Sequence, residues 1–168
     1  YSGVTVERKE GQFVDADRIV KVLDLPGAYS LNATSPDELI TRNICMGTHD
    51  YGFHPDVLVC VVDATNLRLH LRFVLEIKAL GKPLIVALNM MDAAKKRGIE
   101  IDLVELEQSL GVPVLPTIAV ASHGADILKK YLAEHNLPLP AIEYRQNEPD
   151  SHVQVRQILQ SSVSMPSA

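Results

Sequence analysis

The chain has no tryptophan, and aromatic residues make up only 5% of it. That poverty argues against a flavodoxin-like domain, which needs a ring to stack on its flavin. Cysteine is scarce as well. Cys45 and Cys60 lie in apolar surroundings without CxxC spacing, so they read as reduced, packed thiols rather than as metal ligands. None of the six histidines falls in HxxxH or HExxH spacing, which leaves them as surface or structural residues. No apolar run approaches the roughly 20 residues that cross a bilayer, and no basic flank precedes an apolar block. Positive charge is neither abundant nor clustered. With a net charge of -5, the chain lacks the concentrated Lys and Arg that hold a phosphate backbone, so no nucleic-acid partner is expected. A single bound nucleotide is not excluded, because backbone amides and a metal can hold one.

What is present is the composition of an ordinary globular domain. Of the 168 residues, 46% are hydrophobic and 22% charged, and ten prolines are spread along the chain. Three segments, "IVKVLDLPG", "DVLVCVVDAT" and "KPLIVALNMMD", are near-continuous apolar runs that end abruptly in polar residues, as strands buried on both faces do. A fourth, "GVPVLPTIAV", is similar though interrupted by Pro113 and Pro116.

Helical patterns lie between these runs. Ser35 as cap, Pro36 at the first helical position and Glu38 three after the cap form a capping box, for a helix stopping near Gly47. Leu67, Leu71, Val74 and Leu75 mark one face of a helix from about 67 to 80, with Gly81 as its stop. Asp102 and Glu105 open another that ends at Gly111, and Ile127, Leu128, Tyr131 and Leu132 line one that ends near Asn136. Strands alternating with helices give an α/β fold: a mostly parallel sheet with helices on both faces.

Thr5 to Val14 and Arg18 to Leu23 read as an antiparallel ribbon turning at Asp15-Ala16-Asp17. A proline-punctuated stretch follows Asn136, and 153–163 reads as one more helix. The domain boundaries expected are therefore 1–137 and a linker with further helical chain over 138–168.

In open parallel sheets ligands bind beyond the carboxyl ends of the strands. Asp24, Asp63, Asn89 and Asp92 all fall there. Any one alone is an ordinary turn former or helix cap; four at one edge point to a site. In "DLPG", Asp24 can hold Mg2+ through a water, and Gly27 can bring a bare amide to a terminal phosphate. In "NMMD", Asp92 can accept two hydrogen bonds from guanine, whereas adenine lacks that donor pair and leaves the charge unpaired. Asn89 can serve the neighbouring base edge and tie adjacent loops together.

"DLPG" and "NMMD", each at a strand end with one strand and helix between them, resemble the third and fourth motifs of the GTPase superfamily. The opening "GVTVERKEG", followed by "DLPGAYSL" and "ALNMMD", narrows this. Over about Gly3 to Leu132 the chain resembles the intracellular G domain of the bacterial ferrous iron transport protein B (FeoB) family.

The resemblance implies a GTPase fold that binds GTP or GDP with Mg2+. Thr5 is then the switch I threonine over the metal and the γ-phosphate, so that Thr5 and Gly27 serve hydrolysis and Thr5 and Asp24 the metal. Asp24 to Gly27 form switch II, and Asn89, Met90 and Asp92 form the base site. Ala119, Val120 and Ala121 then lend backbone amides to the guanine carbonyl, with Ala119 standing where serine is usual. Met90 replaces a common lysine. Ala28 stands where Ras-like proteins use glutamine to orient water, so hydrolysis is expected to be slow.

The resemblance also implies a membrane-embedded iron permease and a small helical domain as attached partners, at the cytoplasmic face of the bacterial inner membrane. A homo-oligomer is compatible with it. Nothing in these residues matches the phosphate-cradling GxxxxGKS/T loop. That loop and the central strand before it are expected ahead of Tyr1, or else the sheet is expected to be visibly rearranged. A reading of another class, a non-catalytic α/β interaction module that binds no nucleotide, stands beside the switch.

Overall fold

The computed structural model describes residues 9–15, 17–32, 35–48, 54–134 and 150–164. The sequence-expected switch threonine, Thr5, and the linker around Pro138 lie outside them. β1 (Lys9–Asp15) and β2 (Arg18–Asp24) pair antiparallel, with Val14 opposite Ile19 and Lys9 opposite Asp24. The turn passes through Asp17 at a φ of 63°, a conformation Asp tolerates.

α1 (Pro36–Met46) begins as its local chemistry demands. Ser35 Oγ accepts from the Glu38 amide, the Glu38 carboxylate reaches back to the Ser35 amide, and Gly47 closes the helix in the left-handed region. β3 (Leu58–Asp63), β4 (Leu84–Asn89) and β6 (Val114–Pro116) form a parallel sheet in the order β3-β4-β6.

Between these strands run α2 (Leu67–Lys78), α3 (Met91–Lys96) and α4 (Leu103–Leu110). α5 (Asp126–Glu134) and α6 (Ser151–Ser162) follow. A short antiparallel pair, β5 (Glu100–Ile101) with β7 (Val163–Ser164), ties the end of α6 to the start of α4.

The fold is mixed α/β, a parallel sheet flanked by helices. The core runs from Leu71, Val74 and Ile77 of α2 through β4 to Leu106 and Leu110 of α4, and takes in Val155 and Ile158 of α6. Each such side chain is worth about 1.5–3 kcal/mol when fully buried, so α6 is held on α2 and α4 by apolar packing rather than by a tether alone.

Only β4, the middle strand of three, is buried along its length, over Leu84–Leu88, with Asn89 half-buried at its end. The expectation of full burial fails for the other two runs: Val61 of β3 is 65% exposed and Ile19 of β2 equally so. The cause lies in the sheet. Among the described residues β2 pairs only with β1, and β3 only with β4. Between β2 and β3 opens a cavity of about 1360 Å3, lined by Val20, Val22 and Leu23 on one side and by Val59, Cys60 and Val61 on the other.

Smaller differences have equally local causes. In α2 the fourth buried position is Ile77, not Leu75. On α5 Ile127 is exposed and Ala133 is buried, because that helix lies along β1 and β2, where Arg18 Nη1 donates to the Ala133 carbonyl at 3.2 Å.

Candidate functional site

The rim is built where the parallel strands end. In register Asp63 stands beside Asn89, and β6 continues the edge through the Thr117 amide, which donates to the Leu88 carbonyl at 2.8 Å. Asp63 is taken up by its own turn, accepting from the Thr65 amide at 2.7 Å as the cap of a 3-10 turn over Ala64–Asn66.

Asn89 is different. Its Oδ1 accepts the Ala119 amide at 2.9 Å, with the Thr117 hydroxyl at 3.5 Å, and so links the loop after β4 to the loop after β6. Met90 follows at a φ of 63°, exposed at the start of α3. A left-handed non-glycine residue costs about 1–2 kcal/mol, and here it swings the chain so that Asp92 falls on the first turn of a helix. The Asp92 side chain is 42% exposed, and its one ion-pair partner among the described residues is Lys96, at 3.9 Å. A carboxylate so placed is free to accept from a ligand.

The loop after β6 closes on itself. Ile118 N donates to Gly124 O at 3.0 Å, Ala121 N to Ile118 O at 2.8 Å and Gly124 N to Ala121 O at 3.0 Å. A Cβ on Gly124 would stand 1.8 Å from the Ile118 carbonyl oxygen, so no side chain fits there. Of the three amides expected to serve a ligand, Ala119 is engaged by Asn89 and Ala121 by Ile118. Val120, 95% exposed at the tip, donates to nothing among the described residues. Sequence reasoning missed Gly124; the signal was the run Ser122-His123-Gly124, three turn-prone residues after a strand.

Asp24 ends β2, exposed, and Gly27 is exposed with nothing within 4 Å of where a Cβ would sit. Residues 25–32, which follow β2, are tied to both neighbouring helices. Thr41 Oγ1 of α1 donates to the Pro26 carbonyl at 2.7 Å, and Tyr29 lies against His70 near the start of α2, ring centroids 5.8 Å apart. Tyr29 thus lays the chain that follows "DLPG" against α2, the helix that comes after β3.

Among the described residues no three His, Cys, Asp or Glu converge as a metal cluster. No helix among them is long and apolar enough to cross a membrane. Both cysteines are free thiols; burial is the main cause that raises the titration of each, and it pushes Cys60 up to about 12.

With that geometry, comparison with known proteins is specific. Residues 1–132 match the family described as ferrous iron transport protein B. The Fe(2+) transporter FeoB of Escherichia coli K12 is 42% identical over 166 residues, covering 92% of this chain and 21% of that protein. The chain therefore spans about a fifth of the length of that curated relative. The crystal structure of the cytosolic domain of T. maritima FeoB in a GDP form superposes with a TM-score of 0.76 at 36% identity, covering 88% of this chain and 57% of that one. The FeoB G domain from Methanococcus jannaschii superposes with a TM-score of 0.69 at 44% identity, covering 76% and 78% of the two chains. This chain belongs to the ferrous iron transport protein B family, and its fold is that of the family's G domain.

Proposed function

We propose that the chain is a guanine-nucleotide switch that binds GTP and GDP, hydrolyses GTP slowly, and passes the change to a ferrous iron permease in the same protein. The observation that carries this reading is the Asn89–Ala119 hydrogen bond beside a half-exposed Asp92. It supports a shared rim on which one carboxylate can read the N1-H and exocyclic amine of guanine. Val120 offers the amide for the guanine carbonyl, and Met90 packs at the base edge. Ala119 and Ala121 shape the loop around it.

Asp24 and Gly27 face the phosphate end, with Thr5 as their counterpart in switch I. The absence of a three-ligand cluster among the described residues suits a metal that arrives with phosphate oxygens rather than one held by protein alone. Asp24 would hold Mg2+ through a water, together with Thr5, and the ion when bound neutralises charge on the terminal phosphates. Ala28 offers no side chain to orient water, which makes turnover slow unless another group supplies that function. Residues 138–168 would be the linker and start of a helical domain leading to the membrane permease, which puts the domain at the cytoplasmic face of the bacterial inner membrane.

The test is titration of the intact protein with a fluorescent GDP analogue, with and without excess ATP, in wild type and Asp92→Ala. Guanine-selective binding lost in the variant supports the switch. Absence of binding in wild type supports a docking module instead.

A further inference from the structure

The segment Leu25–Leu31, the first part of the connection from β2 to α1, is fastened near both of its ends. Near its start the buried Thr41 hydroxyl holds the Pro26 carbonyl at 2.7 Å. At its end Glu76 of α2 takes the Leu31 amide at 2.6 Å and the Ser30 hydroxyl at 3.0 Å on one oxygen, Oε2. The other oxygen, Oε1, lies 3.3 Å from Arg72 Nε. Gly27 sits between these anchors in open space.

We propose that Glu76 is a positioning residue: by clasping Ser30 and Leu31 it sets where the Gly27 amide stands, and it favours the diphosphate state over the triphosphate state. This rests on the guanine-nucleotide reading above. The clasp is a carboxylate accepting two donors while an arginine steadies it, stronger than a neutral contact. The Leu31 amide has no other acceptor among the described residues.

With Pro26 held by a buried side chain, any advance of Gly27 towards a terminal phosphate takes its slack from the Ser30–Leu31 side. The clasp therefore resists that advance. Glu76 is also well placed to report it. The buried residues of α2, Leu71, Val74 and Ile77, share one core with Val155 and Ile158 of α6, so a single helix meets the "DLPG" segment and the chain that follows the G domain.

The experiment is hydrogen exchange of the peptide containing residues 28–32 in the intact protein, without nucleotide, with GDP and with a non-hydrolysable GTP analogue. It is paired with affinities for both nucleotides in wild type, Glu76→Gln, Glu76→Ala and Ser30→Ala. In wild type the Leu31 amide should be protected with GDP and released with the analogue. Glu76→Ala should remove protection in every state and shift the ratio of analogue to GDP affinity about fivefold or more towards the analogue, the scale of an allosteric coupling. Glu76→Gln, which keeps an acceptor oxygen, and Ser30→Ala should shift it less, in the same direction.

A purely structural role would lower the melting temperature and leave that ratio unmoved. If Glu76→Ala does not fold, Ser30→Ala and Glu76→Gln decide by the same ratio. Equal protection with both nucleotides, or an unchanged ratio in every folded variant, overturns the clasp while the nucleotide site stands. No guanine nucleotide bound by wild type overturns the site reading, and the clasp with it.

Discussion

Asn89 Oδ1 accepts the Ala119 amide at 2.9 Å, so one side chain joins the loops that leave two neighbouring parallel strands. Ala119 is exposed and Asn89 half-buried, which puts the net worth of the bond near 1 kcal/mol. Asn89→Ala should therefore lower stability by about 1 kcal/mol, a shift of a few degrees in a thermal melt. Binding should suffer far more. Unlinking the two loops moves Val120 relative to Asp92, and a fluorescent GDP titration should weaken by about tenfold or more, equivalent to about 1.4 kcal/mol. Asn89→Asp keeps the acceptor and should restore most of the stability.

Two glycines make a matched pair. Gly124 has a carbonyl oxygen 1.8 Å from the place a Cβ would take, whereas Gly27 has nothing within 4 Å. Gly124→Ala must push apart the ring of hydrogen bonds between Ile118 and Gly124 and should cost about 1–3 kcal/mol, the range for overpacking. Gly27→Ala should leave urea unfolding within about 0.5 kcal/mol of wild type, as for a surface change. Its effect belongs to binding: the added methyl stands in the way of a terminal phosphate, so affinity for a GTP analogue should fall while that for GDP holds. An unchanged analogue affinity would argue against Gly27 meeting that phosphate.

The helix ends were legible because their chemistry is local. The Ser35 box, Asp102 accepting from the Glu105 amide, and the left-handed Gly47 and Gly111 each depend on residues within a few positions. Burial along the strands was less so. A run such as "VLVCVV" announces a strand, but only the neighbouring element decides whether Val61 is covered, and beside β3 lies a cavity. The two-residue strands β5 and β7 are set by the docking of α6, and no periodicity marks them.

At the site, the residue types and the strand edge were readable, and so was Asn89 as a tie between loops. Which amides stay free was not, because that depends on the ring closed by Gly124. Glu76 was not singled out from the sequence, because its partners come from 45 and 46 residues away.

The capping box at Ser35 carries a further expectation. Ser35 Oγ satisfies the Glu38 amide at 3.2 Å, and α1 in turn presents Thr41 to the Pro26 carbonyl. Ser35→Ala should cost about 1 kcal/mol of stability by denaturant titration. The fraying it causes at the first turn should not reach Thr41, more than one turn into the helix, so hydrogen exchange around Pro26 should stay as in wild type. Spread of the effect to that loop would mean that the cap, and not Thr41 alone, sets its position.

Cys60 gives the pH dependence its sign. Burial is the main cause that pushes its thiol up to about 12, with neighbouring Cys45 adding to the effect. An unfolded thiol titrates near 8.5. Below about pH 8.5 the thiol is protonated in both states and pH changes nothing through it. Between about 8.5 and 12 the unfolded chain loses the proton while the folded chain keeps it, which favours unfolding, so stability should fall with rising pH by up to about 1.4 kcal/mol per unit. Cys60→Ala should remove that slope. Wild-type and variant unfolding free energies, measured from pH 7 to 10, should run parallel below about 8.5 and converge or cross above it. Reactivity carries the same signature: because the thiolate is the nucleophile, Cys60 should be alkylated far more slowly than a free thiol at pH 8 in the folded protein. Rapid modification of Cys60 without unfolding would show that the slot between β2 and β3 admits water freely and that burial does not set the thiol's titration.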